Sequence, residues 1–194
     1  DLRSPDIPPV PLDNPSGKNL QNLKIAWTDE LNPYPVAQSI KSVMQAVAQK
    51  LSDAGTQIQQ WMPKYDFELA WQVYLTISAY TSPLAQPFDF DYVRDSLTLM
   101  LGEATQGDRA LRKISTVPKI AFSTALNPNM KGYFTALIQR DRCIAQMDAE
   151  LEAWDVWLCP VAMTPAFQHC PTGTAIEIDG RKVPYLMASG AYTI

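Results

Sequence analysis

The sequence predicts an α/β fold, with parallel or mixed strands flanked by helices, and three observations carry that expectation. A strand, a helix and a second strand succeed one another between Leu23 and Met62. A long amphipathic helix ending near Ala153 then delivers the chain to a short apolar strand, Val156-Trp157-Leu158-Cys159, and that strand stops at Pro160. Strands separated by helices of this length pair in parallel through crossovers. With 194 residues, 46% of them hydrophobic, the chain has enough apolar material for a sizeable core.

Taken in order, residues 1–19 carry Pro5, Pro8, Pro9, Pro11 and Pro15, whose fixed φ angles and missing N–H donors exclude a helix or a central strand. They read as an extended linker or surface strap, leaving residues 20–194 as the α/β portion. Leu23-Lys24-Ile25-Ala26-Trp27 reads as a strand, ended by Thr28-Asp29-Glu30 and by Pro33 and Pro35. Ile40, Val43, Met44, Val47 and Leu51 then recur at helical spacing, so this stripe is expected to face the core, with Pro35 in the first turn and Gly55 ending the helix in the left-handed conformation. Thr56 to Met62 forms the second strand. Asp66 caps a helix to about Tyr80 that is apolar on more than one face and is expected to be buried on several sides. A helix from Asp89 to Ala104 carries Phe90, Val93, Leu97, Met100 and Leu101, and two shorter pieces follow near 108–115 and 118–126. The longest helix, after Asn129, presents Tyr133, Phe134, Leu137, Ile138, Ile144, Met147 and Leu151. Asp179-Gly180 suits a type I′ turn between Ile176/Ile178 and Val183/Tyr185, predicting a hairpin.

Charge and apolar patterning exclude several functions. A formal net charge of −4 without a local Lys/Arg stripe offers phosphate backbones nothing, so nucleic acid is not an expected partner. No apolar run reaches the ~20 residues needed to cross a bilayer, so no transmembrane segment is expected. Three dispersed cysteines form no disulfide framework and fit a reducing, cytoplasmic compartment. The opening on Asp1 and the apolar close at Ala191-Tyr192-Thr193-Ile194 lead us to expect that both ends are cut.

Candidate chemistry is thin. Cys159, His169 and Cys170 are the sole cluster with metal-ligand chemistry, and a structural zinc site wants a fourth ligand that stands nowhere nearby. Cys159 therefore reads as a buried thiol at a strand end and His169 as a loop residue; no metal or organic cofactor is expected. A Cys-His nucleophile lacks a local signature. Ser39-Ile40-Lys41-Ser42 falls opposite the apolar stripe and reads as solvated helix surface, and Asp89, Asp91, Asp95, Glu150 and Glu152 read as helix-end or surface charges. Trp27, Trp61, Trp71, Trp154 and Trp157 read mainly as packing residues.

The ordered set of Arg140-Asp141-Arg142, Trp154-Asp155-Val156-Trp157-Leu158-Cys159-Pro160, Thr164-Pro165-Ala166-Phe167, Pro184-Tyr185 and Ala191-Tyr192-Thr193 resembles the amidase signature family. The resemblance spans nearly the whole chain and implies an incomplete portion of that α/β/α fold, following the catalytic core. Family members hydrolyse carboxamides with a serine nucleophile, a second serine bridging through a cis peptide, and a lysine base, set in a Gly/Ser-rich signature. This chain has no Gly-Gly pair and no such signature, so no catalytic residue is assigned within it. The resemblance implies a small-molecule amide substrate, the remainder of the parent enzyme as partner, and a substrate pocket bordered by Met163, Thr164, Phe167, Tyr192 and Thr193. A self-sufficient, non-catalytic binding or scaffold module is the alternative. An excised slice is expected to expose strand edges and apolar patches, and to associate with a complementary chain or into a homo-oligomer.

Overall fold

A computed structural model describes residues 19–31, 33–85, 90–126 and 129–192. After a short 3-10 turn at Leu20–Asn22 the elements are β1 (Lys24–Trp27), α1 (Gln38–Asp53), β2 (Gln57–Gln60), α2 (Phe67–Ala85), α3 (Phe90–Thr105), α4 (Arg109–Ser115), α5 (Val117–Leu126), α6 (Met130–Leu151), β3 (Val156–Leu158), β4 (Ile176–Ile178), β5 (Arg181–Val183) and α7 (Tyr185–Gly190). The proline-rich strap and the Asp89 helix start lie outside the described residues, apart from Asn19, which caps the 3-10 turn.

The sheet has the order β2-β1-β3, all parallel. Ile25 pairs with Ile58 on one side and with Val156 on the other. Asp155 opens the β1–β3 ladder: its carboxylate accepts from the Lys24 N–H at 2.8 Å, while its own N–H donates to the Lys24 carbonyl at 2.9 Å. At the opposite end Thr28 closes all three strands. Its N–H donates to Leu158 O (2.9 Å), its hydroxyl donates to Trp61 O (2.5 Å), and it accepts from Trp157 Nε1 (2.9 Å). Trp61 also lies near Trp154 and Trp157, with ring centroids 5.8 and 6.0 Å away.

The helices divide by what they bury. Asp66 caps α2 through the Leu69 N–H, and α2 is indeed buried on several sides: Phe67, Ala70, Trp71, Val73 and Leu75 are covered where it packs on α5 and α6. Gly55 ends α1 in the left-handed region at φ 84°, but α1 begins at Gln38, which places Pro35 before the helix rather than in its first turn. The expected inward stripe of α1 is corrected too, since Val43 and Val47 are exposed and Ala48 is the buried residue. Phe90, Leu97 and Leu101 of α3, and Phe134, Ile138 and Ile144 of α6, are likewise exposed. Each is an apolar face without a covering layer among the described residues.

A polar network threads the core. Trp71 Nε1 donates to Ser115 O (3.0 Å), the Ser115 hydroxyl donates to Glu103 Oε2 (2.6 Å), and Glu103 Oε1 accepts from the Leu186 N–H at the start of α7 (2.6 Å). One carboxyl thus ties α3 to α4 and α7. Nearby, a Cβ on Gly102 would overlap the Gly173 carbonyl, so only glycine permits this approach. The hairpin forms on the expected turn, with Asp179 at φ 48° and Gly180 at φ 80° and Ile176 paired with Val183, but its second strand is only Arg181–Val183, and Tyr185, expected in it, instead opens α7 after Pro184. It is docked through Asp108 N–H to Lys182 O (2.6 Å) and through Asp179, whose carboxylate caps α1 at the Gln38 N–H (2.6 Å).

Two outcomes test these bonds. Thr28→Val keeps the shape but strands the Trp157 N–H and the Trp61 carbonyl, and is expected to lower stability by about 1–3 kcal/mol in urea denaturation. Burial raises the Glu103 pKa above its ordinary value of 4.5, overriding the lowering effect of its two hydrogen bonds. The native state therefore favours the neutral acid, and its contribution is complete below pH 4.5 and lost as pH rises through the folded pKa. Urea midpoints measured from pH 4.5 to 7 are expected to fall in the native chain and to fall less in Glu103→Gln.

Candidate functional site

In an open parallel sheet, ligands bind beyond the carboxyl ends of the strands, at the point where successive connections leave in opposite directions. Here β1 connects through α1 to β2 on one side, while β3 arrives on the other, so that point lies between β1 and β3. Two loops meet there, 28–37 after β1 and 159–170 after β3, and Ala37 N–H donates to Met163 O at 2.7 Å to hold them together.

Leu31 and Tyr34 form a tight turn in the first loop, closed by Tyr34 N–H to Leu31 O at 2.8 Å. Tyr192 reaches it from beyond α7. Its hydroxyl accepts from the Leu31 N–H (2.7 Å) and donates to Tyr34 O (3.0 Å), so both of its hydrogen-bonding directions are committed to the turn. Burial raises the phenol pKa of Tyr192, as it does that of Tyr34, so both stay protonated at physiological pH. Tyr34 and Met163 are fully buried, packed with Trp71, Met187 and Ala191.

The sequence-derived residues accordingly fall into two groups. Met163 and Tyr192 lie beneath the rim and fix its loops. Thr164 and Phe167 lie on it: the Thr164 hydroxyl donates to Pro165 O at 3.1 Å, and Phe167 is 43% exposed beside the exposed Pro165 and Ala166. Thr193 is outside the described residues. On the facing loop Glu30 pairs with Lys41, so Lys41 is not the free surface cation its helical position implied. Sequence reasoning missed Thr28, whose polarity reads as a strand terminator, and the helix α7; Pro184 immediately before Tyr185-Leu186-Met187-Ala188 was the available signal.

Cys159 corrects a further expectation: it is exposed, and Cys143 on α6 is the buried thiol. Enough solvent is removed around the Cys159 sulfur to raise its pKa, which keeps it a thiol rather than a nucleophilic thiolate. His169 is exposed on its loop, as its sequence context implied. Among the described residues no group of three or more His, Cys, Asp or Glu side chains is placed to hold a metal ion, and no helix is long and apolar enough to cross a membrane.

The amidase family model matches residues 1–185. This chain belongs to the amidase family. Among solved structures it resembles a bacterial aryl acylamidase of the amidase signature family, with TM-score 0.54 and 13% identity over 89% of this chain. The match covers 34% of that chain, so the amidase-family chain described here spans about a third of the length of its structural relative. At that identity the likeness is one of fold. Comparison with curated protein sequences returns no match.

Removal of the Tyr192 hydroxyl tests how the rim is held. Tyr192→Phe is expected to cost about 1–3 kcal/mol and to speed amide hydrogen exchange at Leu31 selectively; unchanged exchange there would show that the turn stands without it.

Proposed function

We propose that this chain is the post-catalytic portion of an amide hydrolase, and that it builds one wall of a substrate pocket whose bond-breaking groups lie on the remainder of the parent enzyme. The family match over residues 1–185 carries the reading. The reaction would be cleavage of a carboxamide C–N bond. In the Ser-Ser-Lys scheme the family resemblance implies, a lysine takes the proton of the nucleophilic serine through a bridging serine, an acyl-enzyme forms as the amine leaves, and water releases the carboxylate.

This chain's part is positional. Thr164 and Phe167 would face the acyl or amine group, while Met163 and Tyr192 hold the loops that present them; the family resemblance adds Thr193 to the residues bordering the pocket. Nucleophile, base and oxyanion donors supply most of the rate in acyl transfer and act only when held together, so the chain by itself would have little catalytic power. The exposed apolar faces of α1, α3 and α6 support a larger parent body, since contiguous apolar surface on a self-contained domain is usually covered.

Turnover of a neutral aryl amide such as an anilide tests the reading. The parent polypeptide is expected to release the aniline at a rate that substitution of its nucleophilic serine abolishes, and the 194-residue chain alone is expected to show none. A rate from this chain that disappears on substituting one of its own serines or lysines would overturn the proposal.

A further inference from the structure

α7 is too short to stand by its own means. It has six residues, well below the ~12–15 at which an isolated helix becomes even marginally stable. The residue before it, Pro184, has no side-chain acceptor for the free N–H groups of the first turn. That acceptor comes from 83 residues away: Glu103, fully buried on α3, places Oε1 2.6 Å from the Leu186 nitrogen. The other carboxyl oxygen is held by the Ser115 hydroxyl at 2.6 Å, so the cap is itself fixed in place. A buried acid costs desolvation that an apolar side chain of the same size would not, so what it contributes here is the placement of α7.

The far end of α7 meets the rim. Ala191 N–H donates to Met187 O as the helix closes, and the next residue, Tyr192, bridges the Leu31 N–H and the Tyr34 carbonyl with its hydroxyl. Leu186 and Tyr192 are about 9 Å apart along the axis at 1.5 Å per helical residue. Between them Met187, Ala188 and Ala191 are buried in the same core that holds Leu31, Tyr34 and Met163. α7 is therefore a packed link with Glu103 at one end and the Leu31–Tyr34 turn at the other. The last turns of α3 also hold the segment that leaves the 159–170 loop: Gly102 lets the Gly173 backbone come close, and Gln106 Oε1 accepts from the Ala175 N–H at 3.1 Å. Both rim loops are thus tied back to α3.

We propose that Glu103 is a positioning residue for the pocket rim: by capping α7 it sets where Tyr192 meets the Leu31–Tyr34 turn. That this rim borders a pocket rests on the function proposed above; the linkage itself does not.

Hydrogen exchange of single amides, followed by NMR on the chain, tests the linkage. Glu103→Met keeps the volume and deletes both polar contacts. It is expected to speed exchange at the Leu31 amide about tenfold, the protection given by one hydrogen bond, while the Thr28 and Asp155 amides of the β1–β3 ladder keep their rates. Glu103→Gln presents a carbonyl to Leu186 and an amide donor to Ser115, and is expected to keep the native rate at Leu31. Glu103→Met added to Tyr192→Phe is expected to have no further effect there, because the route is already cut. Should Glu103→Met not fold, Ser115→Ala, which deletes only the hydroxyl holding the carboxyl, is expected to give the same pattern with a smaller factor. Equal acceleration at Leu31, Thr28 and Asp155 would overturn the proposal, since it marks a general loss of stability. So would unchanged exchange at Leu31, or additive effects of Glu103→Met and Tyr192→Phe. In the parent polypeptide Glu103→Met is expected to raise the KM for an anilide about as much as Tyr192→Phe does; normal turnover with an unchanged KM would also overturn it. A parent that hydrolyses no anilide would count against the proposed function alone, because exchange at Leu31 is read without substrate.

Discussion

Thr28 is the residue on which the arrangement of the sheet most depends. Three strands of three or four residues each bury little surface of their own, and a parallel ladder this short offers few hydrogen bonds to fix its register. One buried residue joins all three at their carboxyl ends, its backbone N–H donating to Leu158 O while its hydroxyl donates to Trp61 O and accepts from Trp157 Nε1. The 28–37 loop starts from that point, so the position of the Leu31–Tyr34 turn, the Tyr192 contact and the Ala37–Met163 bond all inherit the geometry set there. Serine could make the same bonds but would lose the methyl group that a strand-end threonine packs.

A second lock acts at the other side of the core and is of a different kind. Glu103 is fully buried and has no cation against it among the described residues; neutral donors from Ser115 and Leu186 hold it. A lone buried charge is expensive, and the raised pKa is the way the structure reduces that cost. The network therefore specifies which helices meet rather than adding much net stability, since its hydrogen bonds are offset by desolvation. Trp71, stacked on Tyr74 with ring centroids 5.6 Å apart, carries the apolar share of the same junction.

The sequence made the element order legible because its signals are local. The β1-α1-β2 unit, the Asp66 cap, the Asp179-Gly180 turn and the long helix leading to β3 were each expected from spacing and turn chemistry, and each is found. What failed depends on distant partners. An apolar stripe says which face of a helix would prefer cover, not whether cover is present, and so Val43 and Val47 were expected in a core that does not reach them, and the stripes holding Leu97 and Ile138 stand exposed among the described residues. Cys159 failed for the same reason, as β3 has no neighbour beyond it among the described residues. At the rim, the residues Met163, Thr164, Phe167 and Tyr192 could be named from resemblance, but their division into supports and surface rests on hydrogen bonds such as Tyr192 to Tyr34, which join positions 158 residues apart. No local pattern encodes that contact.

The two edges of the sheet differ in a way that bears on the proposed parent. The outer strand β2 carries Gln57, Gln59 and Gln60, all exposed, around a half-buried Ile58. Three amides along an edge tolerate water and offer little apolar area to a further strand. The opposite edge is β3, where Val156 is exposed, Trp157 and Leu158 are half-buried, and Cys159 and Val161 continue the apolar character beyond the strand. An edge of that composition is a template for pairing, and leaving it uncovered would favour aggregation. On the proposed reading, the sheet of the parent enzyme extends past β3 rather than past β2. That places the rim between β1 and β3 inside the completed sheet instead of at its margin, flanked by strands on both sides, where a pocket can be walled off from solvent.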